Sequence, residues 1–174
     1  MQETIVNKIA ESGIITLNPE QFLPAPEDRM VLDIKPFLFK EMILREKDFR
    51  EALQQLDWEV YRDKIVTLTC SADAIIPMWA YMLLASRLQP VVRELFTGDD
   101  ARTREELLLR AIREMDVSDY ADKRVVIKGC GNVPLPESVY AALTYKLMPE
   151  VKSLMYGEPC STVPVYKKKK DATQ

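Results

Sequence analysis

A 59-residue internal period constrains this 174-residue chain more than any other feature. Residues 57–98 lie over 116–157 without a gap, and 13 of the 42 aligned positions are identical. Asp57 meets Asp116, Tyr61 meets Tyr120, and Asp63-Lys64 meets Asp122-Lys123. Further along, Pro77 meets Pro136, Pro90 meets Pro149 and Gly98 meets Gly157. Matched punctuation in fixed order is the mark of a duplicated supersecondary unit.

Each copy reads as strand, loop, helix, strand. Ile65–Thr69 is short and β-branched, as a buried strand should be. Pro77 suits a helix start, and Pro90 should force Gln89 out of helical geometry and end it. The helix from Pro77 to Leu88 is apolar almost all round, which predicts burial on more than one side. Val91–Phe96 is the second strand. The second copy repeats this with Arg124–Lys128, Pro136–Leu147 and Val151–Tyr156. A strand–helix–strand crossover makes its two strands parallel. The expected class is therefore α/β, with duplicated strand–helix–strand units forming a mostly parallel sheet.

Between the copies, Thr103–Met115 reads as a helix with Thr103 and Glu106 as a capping box. Residues 1–56 form an N-terminal α+β extension. It holds a short helix marked by Ile5, Val6 and Ile9 and ending near Gly13, a strand over Met30–Ile34 and a helix over Glu46–Leu56, and adds an edge or cover to the core. A basic, solvated tail occupies 166–174, with Lys167–Lys170 in a row. The whole, 1–174, is expected to be one domain.

Composition narrows function by exclusion. Histidine is absent, which removes Ser-His-Asp and Cys-His triads and histidine-ligated zinc. A net charge of −3 argues against a general nucleic-acid partner. No apolar run is long enough to span a bilayer, so no membrane is expected. Met1-Gln2-Glu3-Thr4 lacks the basic start of a signal peptide, and an odd count of three cysteines does not suggest secretion. The expected location is the cytoplasm.

The three cysteines are the candidate chemistry. Cys70 and Cys130 each follow the first strand of a copy, and Cys160 follows the last strand. In one parallel sheet all three would share the edge beyond the strand C-termini, where open α/β sheets bind ligands. Three thiolates without histidine select a soft metal, so zinc or an iron–sulfur cluster is the expected cofactor class. Asp73 and Glu158 stand close in sequence to Cys70 and Cys160 and could supply an oxygen ligand. Thiol chemistry, as persulfide carriage or a redox pair, is the alternative use. The bland alternative is that cysteines behave as small buried hydrophobes. Gly129-Cys130-Gly131-Asn132 is neither a dinucleotide fingerprint nor a P-loop, and reads as a tight turn.

Four phrases carry a family resemblance: 44–49 (LREKDF), 68–74 (LTCSADA), 79–84 (WAYMLL) and 157–164 (GEPCSTVP), with Tyr166 and the lysine run after them. Through them nearly the whole chain resembles the uncharacterised bacterial domain-of-unknown-function family 2480. The resemblance implies an association with iron–sulfur cluster assembly. Two functions follow as expectations. One is an accessory factor of iron–sulfur or sulfur metabolism using Cys70, Cys130 and Cys160. The other is a non-catalytic interaction scaffold with structural cysteines, acting through protein partners or as a homodimer. No motif supports a conventional hydrolase or dehydrogenase.

Overall fold

The computed structural model of the chain describes residues 13–129, 131, 133–158 and 160–169. Elements are numbered along the chain: β1 (Ile14–Leu17), β2 (Arg29–Asp33), α1 (Glu46–Gln55), β3 (Ile65–Thr69), α2 (Met78–Leu88), β4 (Glu94–Thr97), α3 (Asp100–Glu114), β5 (Arg124–Ile127), α4 (Glu137–Leu147), β6 (Ser153–Glu158) and β7 (Ser161–Lys167). Two compact units contain them. The first is Pro24–Arg104, and the second joins the described parts of Met1–Leu23 and Glu105–Gln174.

The first unit is built on a parallel sheet in the order β2-β3-β4. Its central strand, β3, is buried from Ile65 to Leu68, so it reads as a continuous apolar run. The exception is Thr67, whose hydroxyl meets that of Thr103 at 2.8 Å and so keeps a partner while buried. Helix α1 buries Phe49 and Leu53, one turn apart, and puts Glu46 and Asp48 in its first turn. Phe49 is fully buried, with ring centroids of Phe37 at 5.5 Å and Trp79 at 5.9 Å, both edge-on.

The second unit has the order β1-β5-β6-β7. The first three strands are parallel and β7 pairs antiparallel with β6. Leu108, Ile112, Val139, Leu143 and Leu147 form its helical core against Val125, Ile127 and Leu154.

The 59-residue offset recurs in the geometry. α4 begins and ends 59 residues after α2, and the Glu105–Glu114 half of α3 stands in the same relation to α1. Asp63 and Asp122, at matched positions, have φ of 59° and 54°. Each donates its N–H to the carbonyl of the matched residue, Val91 or Glu150, at 3.0 and 2.9 Å. Gly98 and Gly157 have φ of 125° and 123°. The correspondence reaches the leading strands too. Leu32 pairs with Leu68 as Leu17 pairs with Ile127, so β2 and β1 are edge strands at equivalent positions.

Mixed α/β character with parallel strands agrees with the sequence reading. Several details differ. The strands divide between two sheets, because each copy closes on its own leading strand. Val151–Tyr156 is the last strand expected, but Ser161–Lys167, which takes in the first two residues assigned to the tail, forms a further strand, β7, paired with β6. α3 begins at Asp100, and its cap is Asp99, whose Oδ1 accepts from Arg102 N–H at 2.7 Å. Thr103 is therefore inside the helix and buried, so Thr103 and Glu106 form no capping box. Gln89 keeps helical dihedrals (φ −48°, ψ −45°). The helix stops there because Pro90 has no N–H to continue the ladder. α2 is not buried on several sides: Ala80, Leu84 and Leu88 face the core, while Met78 and Met82 are exposed. The Ile5–Ile9 helix and Lys170 lie outside the described residues, whereas Lys167–Lys169 are exposed.

Candidate functional site

The C-terminal ends of β2, β3 and β4 meet at one edge of the first unit's sheet, where strands stop hydrogen bonding and loop residues are free to face a ligand. Asp33 ends β2. Its Oδ1 accepts from Lys35 N–H and from Ser71 N–H, each at 3.0 Å, and its other oxygen accepts from the Ser71 hydroxyl. Burial pushes the Asp33 carboxyl up. The three hydrogen bonds outweigh it and hold the group below its ordinary value near 3.8. Asp33 thereby ties the residues after β3 to the end of β2.

Cys70 sits in that tied segment, directly after Thr69. It is half-buried and its thiol donates to the Ala72 carbonyl at 3.6 Å. Together with Ala72, Met78, Tyr81, Gly98 and Arg102 it lines a cleft of about 760 Å³. Burial raises the Tyr81 phenol above its ordinary value, and the charge of Cys70 adds to the rise. On the far wall, Gly98 N–H donates to Leu68 O at 3.0 Å, which turns the chain from β4 into α3.

A folded-state pKa below the unfolded value means that Asp33 contributes stability above the unfolded pKa and loses it as pH falls through the folded one. Asp33→Asn is therefore expected to flatten the acid limb of the stability curve, below about pH 4. Urea titrations from pH 7 down to pH 2 check this. An unchanged slope would remove Asp33 from the network.

The candidate residues are divided between the two units. Cys70 and Asp73 belong to the first unit, with Asp73 exposed and absent from the cleft lining. Cys160 is exposed in the turn between β6 and β7 of the second unit, not in a loop after the last strand. Glu158 ends β6, and its Oε1 is buried with no partner among the described residues. Cys130 lies outside the described residues. Cys70 and Cys160 therefore follow strands of different sheets, and the single shared edge is replaced by two. Among the described residues no three Cys, Asp or Glu side chains group so as to hold a metal ion.

Asp33, Tyr81 and Arg102 were missed. An acid inside the otherwise apolar Met30–Ile34 run is the available signal for Asp33. Tyr81 was absorbed into a helix read as all core, and nothing local marks Arg102. Among the described residues no helix is long and apolar enough to cross a membrane.

The second unit carries a different surface. A groove of about 510 Å³ beside α4 is lined by Tyr140, Thr144, Tyr145, Met148, Tyr156 and Val165 among others, with no charged residue in the lining. Tyr145 is 85% exposed there.

A family model described as "Protein of unknown function (DUF2480)" matches residues 3–168, nearly the whole chain. No curated protein and no solved structure matches it.

Proposed function

The chain belongs to the DUF2480 family, and on that premise we propose that it is a sulfur-handling accessory protein of iron–sulfur cluster or sulfur metabolism, working through the thiol of Cys70. One observation carries this reading: Cys70 lines an open cleft at the C-terminal edge of a parallel sheet. Cys70 packs in part against the apolar core and is otherwise open to the cleft, whereas a purely structural cysteine is normally enclosed by apolar neighbours on all sides. A single working thiol needs no metal centre shared with Cys130 and Cys160. That suits a chain whose described residues offer no three-ligand group.

The test is sulfur loading. Reduced protein is incubated with inorganic polysulfide and digested, and the added sulfur is located by mass spectrometry. Cys70 is expected to take it, and Cys70→Ser to abolish uptake at that peptide without changing the circular dichroism spectrum. Sulfur found only on Cys130 or Cys160 would overturn the reading. So would stoichiometric iron or zinc, after anaerobic purification, that survives Cys70→Ser.

A second reading, the interaction scaffold, is favoured by the uncharged groove around Tyr145. Exposed aromatic residues beside an apolar groove are the usual anchors of a protein interface. It predicts that Tyr145→Asp weakens self-association or partner binding, read by light scattering, while leaving Cys70 chemistry intact.

A further inference from the structure

We infer that the chain pairs with a second copy of itself through the α4 and β6–β7 face of the second unit, about a two-fold axis close to Tyr145. The inference rests on the scaffold reading and names its partner; it does not depend on Cys70. Among the described residues of the second unit, five large apolar side chains lie exposed: Tyr145 at 85%, Val163 at 63%, Val165 at 52%, Tyr156 at 43% and Met148 at 42%. All five belong to one face. Four of them line the groove beside α4. Val163 stands opposite Tyr156 in the antiparallel register, so it points to the same side.

The duplication supplies an internal control. In the first copy Tyr145, Met148 and Tyr156 are matched by Ser86, Gln89 and Thr97, all of them exposed. The first unit thus builds the same strand–helix–strand with polar residues at these places. Its sheet, β2-β3-β4, has no strand matching β7 either. The fold therefore does not require an apolar face here, and the second copy carries one for another reason.

The size of the face agrees with self-pairing. With an aromatic side chain covering about 150–250 Å² and the aliphatic ones somewhat less, these exposures amount to about 500 Å² of apolar surface per chain. An ordinary homodimer interface covers about 800 Å² on each partner with about 65% of it apolar, which again is about 500 Å². A patch of that size is near the top of what a soluble monomer leaves bare.

Shape and charge favour a second copy as the occupant. An interface between identical surfaces must carry both a projection and a recess. Tyr145 is the projection. It stands between the groove of about 510 Å³ and a second depression of about 560 Å³ toward α3, and lines both. Ala141, one turn earlier, also lines both, and its short side chain lets another backbone come close. A two-fold axis sets the residues near it against their own copies, so a charge there would meet a like charge. The groove lining holds none. Lys146, next to Tyr145, is drawn aside to the Arg113 carbonyl at 2.8 Å. A charged partner would find no opposite charge in the groove to select it.

The test is sedimentation equilibrium of the full-length protein across micromolar concentrations. The expected mass is twice the 20.0 kDa of one chain. Tyr145→Asp and, separately, Val163→Asp are each expected to weaken the dimer about a hundredfold or more, because a two-fold interface carries the buried charge twice. Both sites are exposed in the single chain, so the circular dichroism of the variants should match that of the unsubstituted protein. Met82→Asp, at an exposed apolar position on the matched helix α2, is expected to leave the mass unchanged. Monomers at every concentration would overturn the second-copy inference. So would a dimer that survives both variants, since the copies would then meet elsewhere. Fluorescence of anilinonaphthalene sulfonate separates this failure from that of the scaffold reading. If the chain is monomeric, dye binding that falls in Tyr145→Asp keeps the face as a surface for a different partner, and dye binding that does not change removes the scaffold reading as well.

Discussion

Phe49→Ala is expected to lower the stability of the first unit by about 3–5 kcal/mol, the usual cost of truncating a fully buried aromatic side chain. Phe49 is 0% exposed and is the largest of the fully buried side chains. It stands on α1, and its ring meets Phe37 and Trp79 edge-on, so truncation also removes two aromatic contacts. The neighbours cannot close the gap easily, because Leu53 on the same helix and Leu84 and Leu88 on α2 are already buried and packed in the same cluster. A loss of that size is a large share of the stability of an ordinary domain. Both tryptophans, Trp58 and Trp79, belong to Pro24–Arg104, so intrinsic fluorescence reports on that unit. Urea unfolding of Phe49→Ala should show its fluorescence midpoint displaced to lower denaturant. A shift worth less than about 1 kcal/mol would mean that α1 is not integral to the core. Leu108, 59 residues later and also 0% exposed, is the matched position in the second unit. Leu108→Ala is expected to cost about 2–5 kcal/mol, seen by circular dichroism.

Gly157→Ala is expected to be about as damaging, for a backbone reason. Gly157 has φ of +123°, a conformation that costs an ordinary residue about 1–3 kcal/mol. A Cβ there would also lie 2.5 Å from the backbone oxygen of Ser161, across the β6–β7 pairing. A main-chain atom in a paired strand cannot rotate away, so the clash must open the hairpin. Gly98, its match at φ +125°, has the same backbone strain, but its Cβ would meet the Arg102 side chain at 3.0 Å. That side chain can yield by rotating. The ranking Gly157→Ala worse than Gly98→Ala, measured by thermal unfolding of both variants, isolates the steric part. Equal losses would show that φ alone accounts for the cost.

Much of the secondary structure was legible because it follows from local rules. The run Ile65–Thr69 is continuous and β-branched, and it forms the buried central strand of a parallel sheet. Phe49 and Leu53 mark one helical face without help from the rest of the chain. The errors share a different cause. Thr103 with Glu106 satisfies the pattern of a capping box, but Asp99, two residues after β4 ends at Thr97, takes that role. Thr103 was drawn instead toward a buried hydroxyl partner on β3. Met78 and Met82 look like core from their hydropathy, yet they lie exposed, with Met78 on the rim of a cleft. Hydropathy records what a side chain prefers and carries no record of which neighbours are available to cover it.

The candidate site shows the same division more sharply. Cys70 was placed after a strand by sequence alone, and that is where it stands. The companions given to it were Cys130 and Cys160, chosen on the premise of one sheet. Its companions in the structure are Asp33, Ser71, Tyr81 and Arg102, drawn from β2, the loop after β3, α2 and α3.

By itself the sequence determined the period, the strand–helix–strand order within each copy, and the parallel character that such a crossover imposes. These depend on neighbours along the chain and on hydrophobic spacing, both of which a string of residues contains. Tertiary structure alone decided how many sheets those strands make. Each copy takes its edge strand from the N-terminal segment, Leu17 beside Ile127 and Leu32 beside Leu68. A backbone edge will accept any extended segment, so the choice among partners rests on packing between residues far apart in sequence. That choice divided one expected ligand edge into two and put Cys70 in the lining of a cleft that the first unit builds by itself.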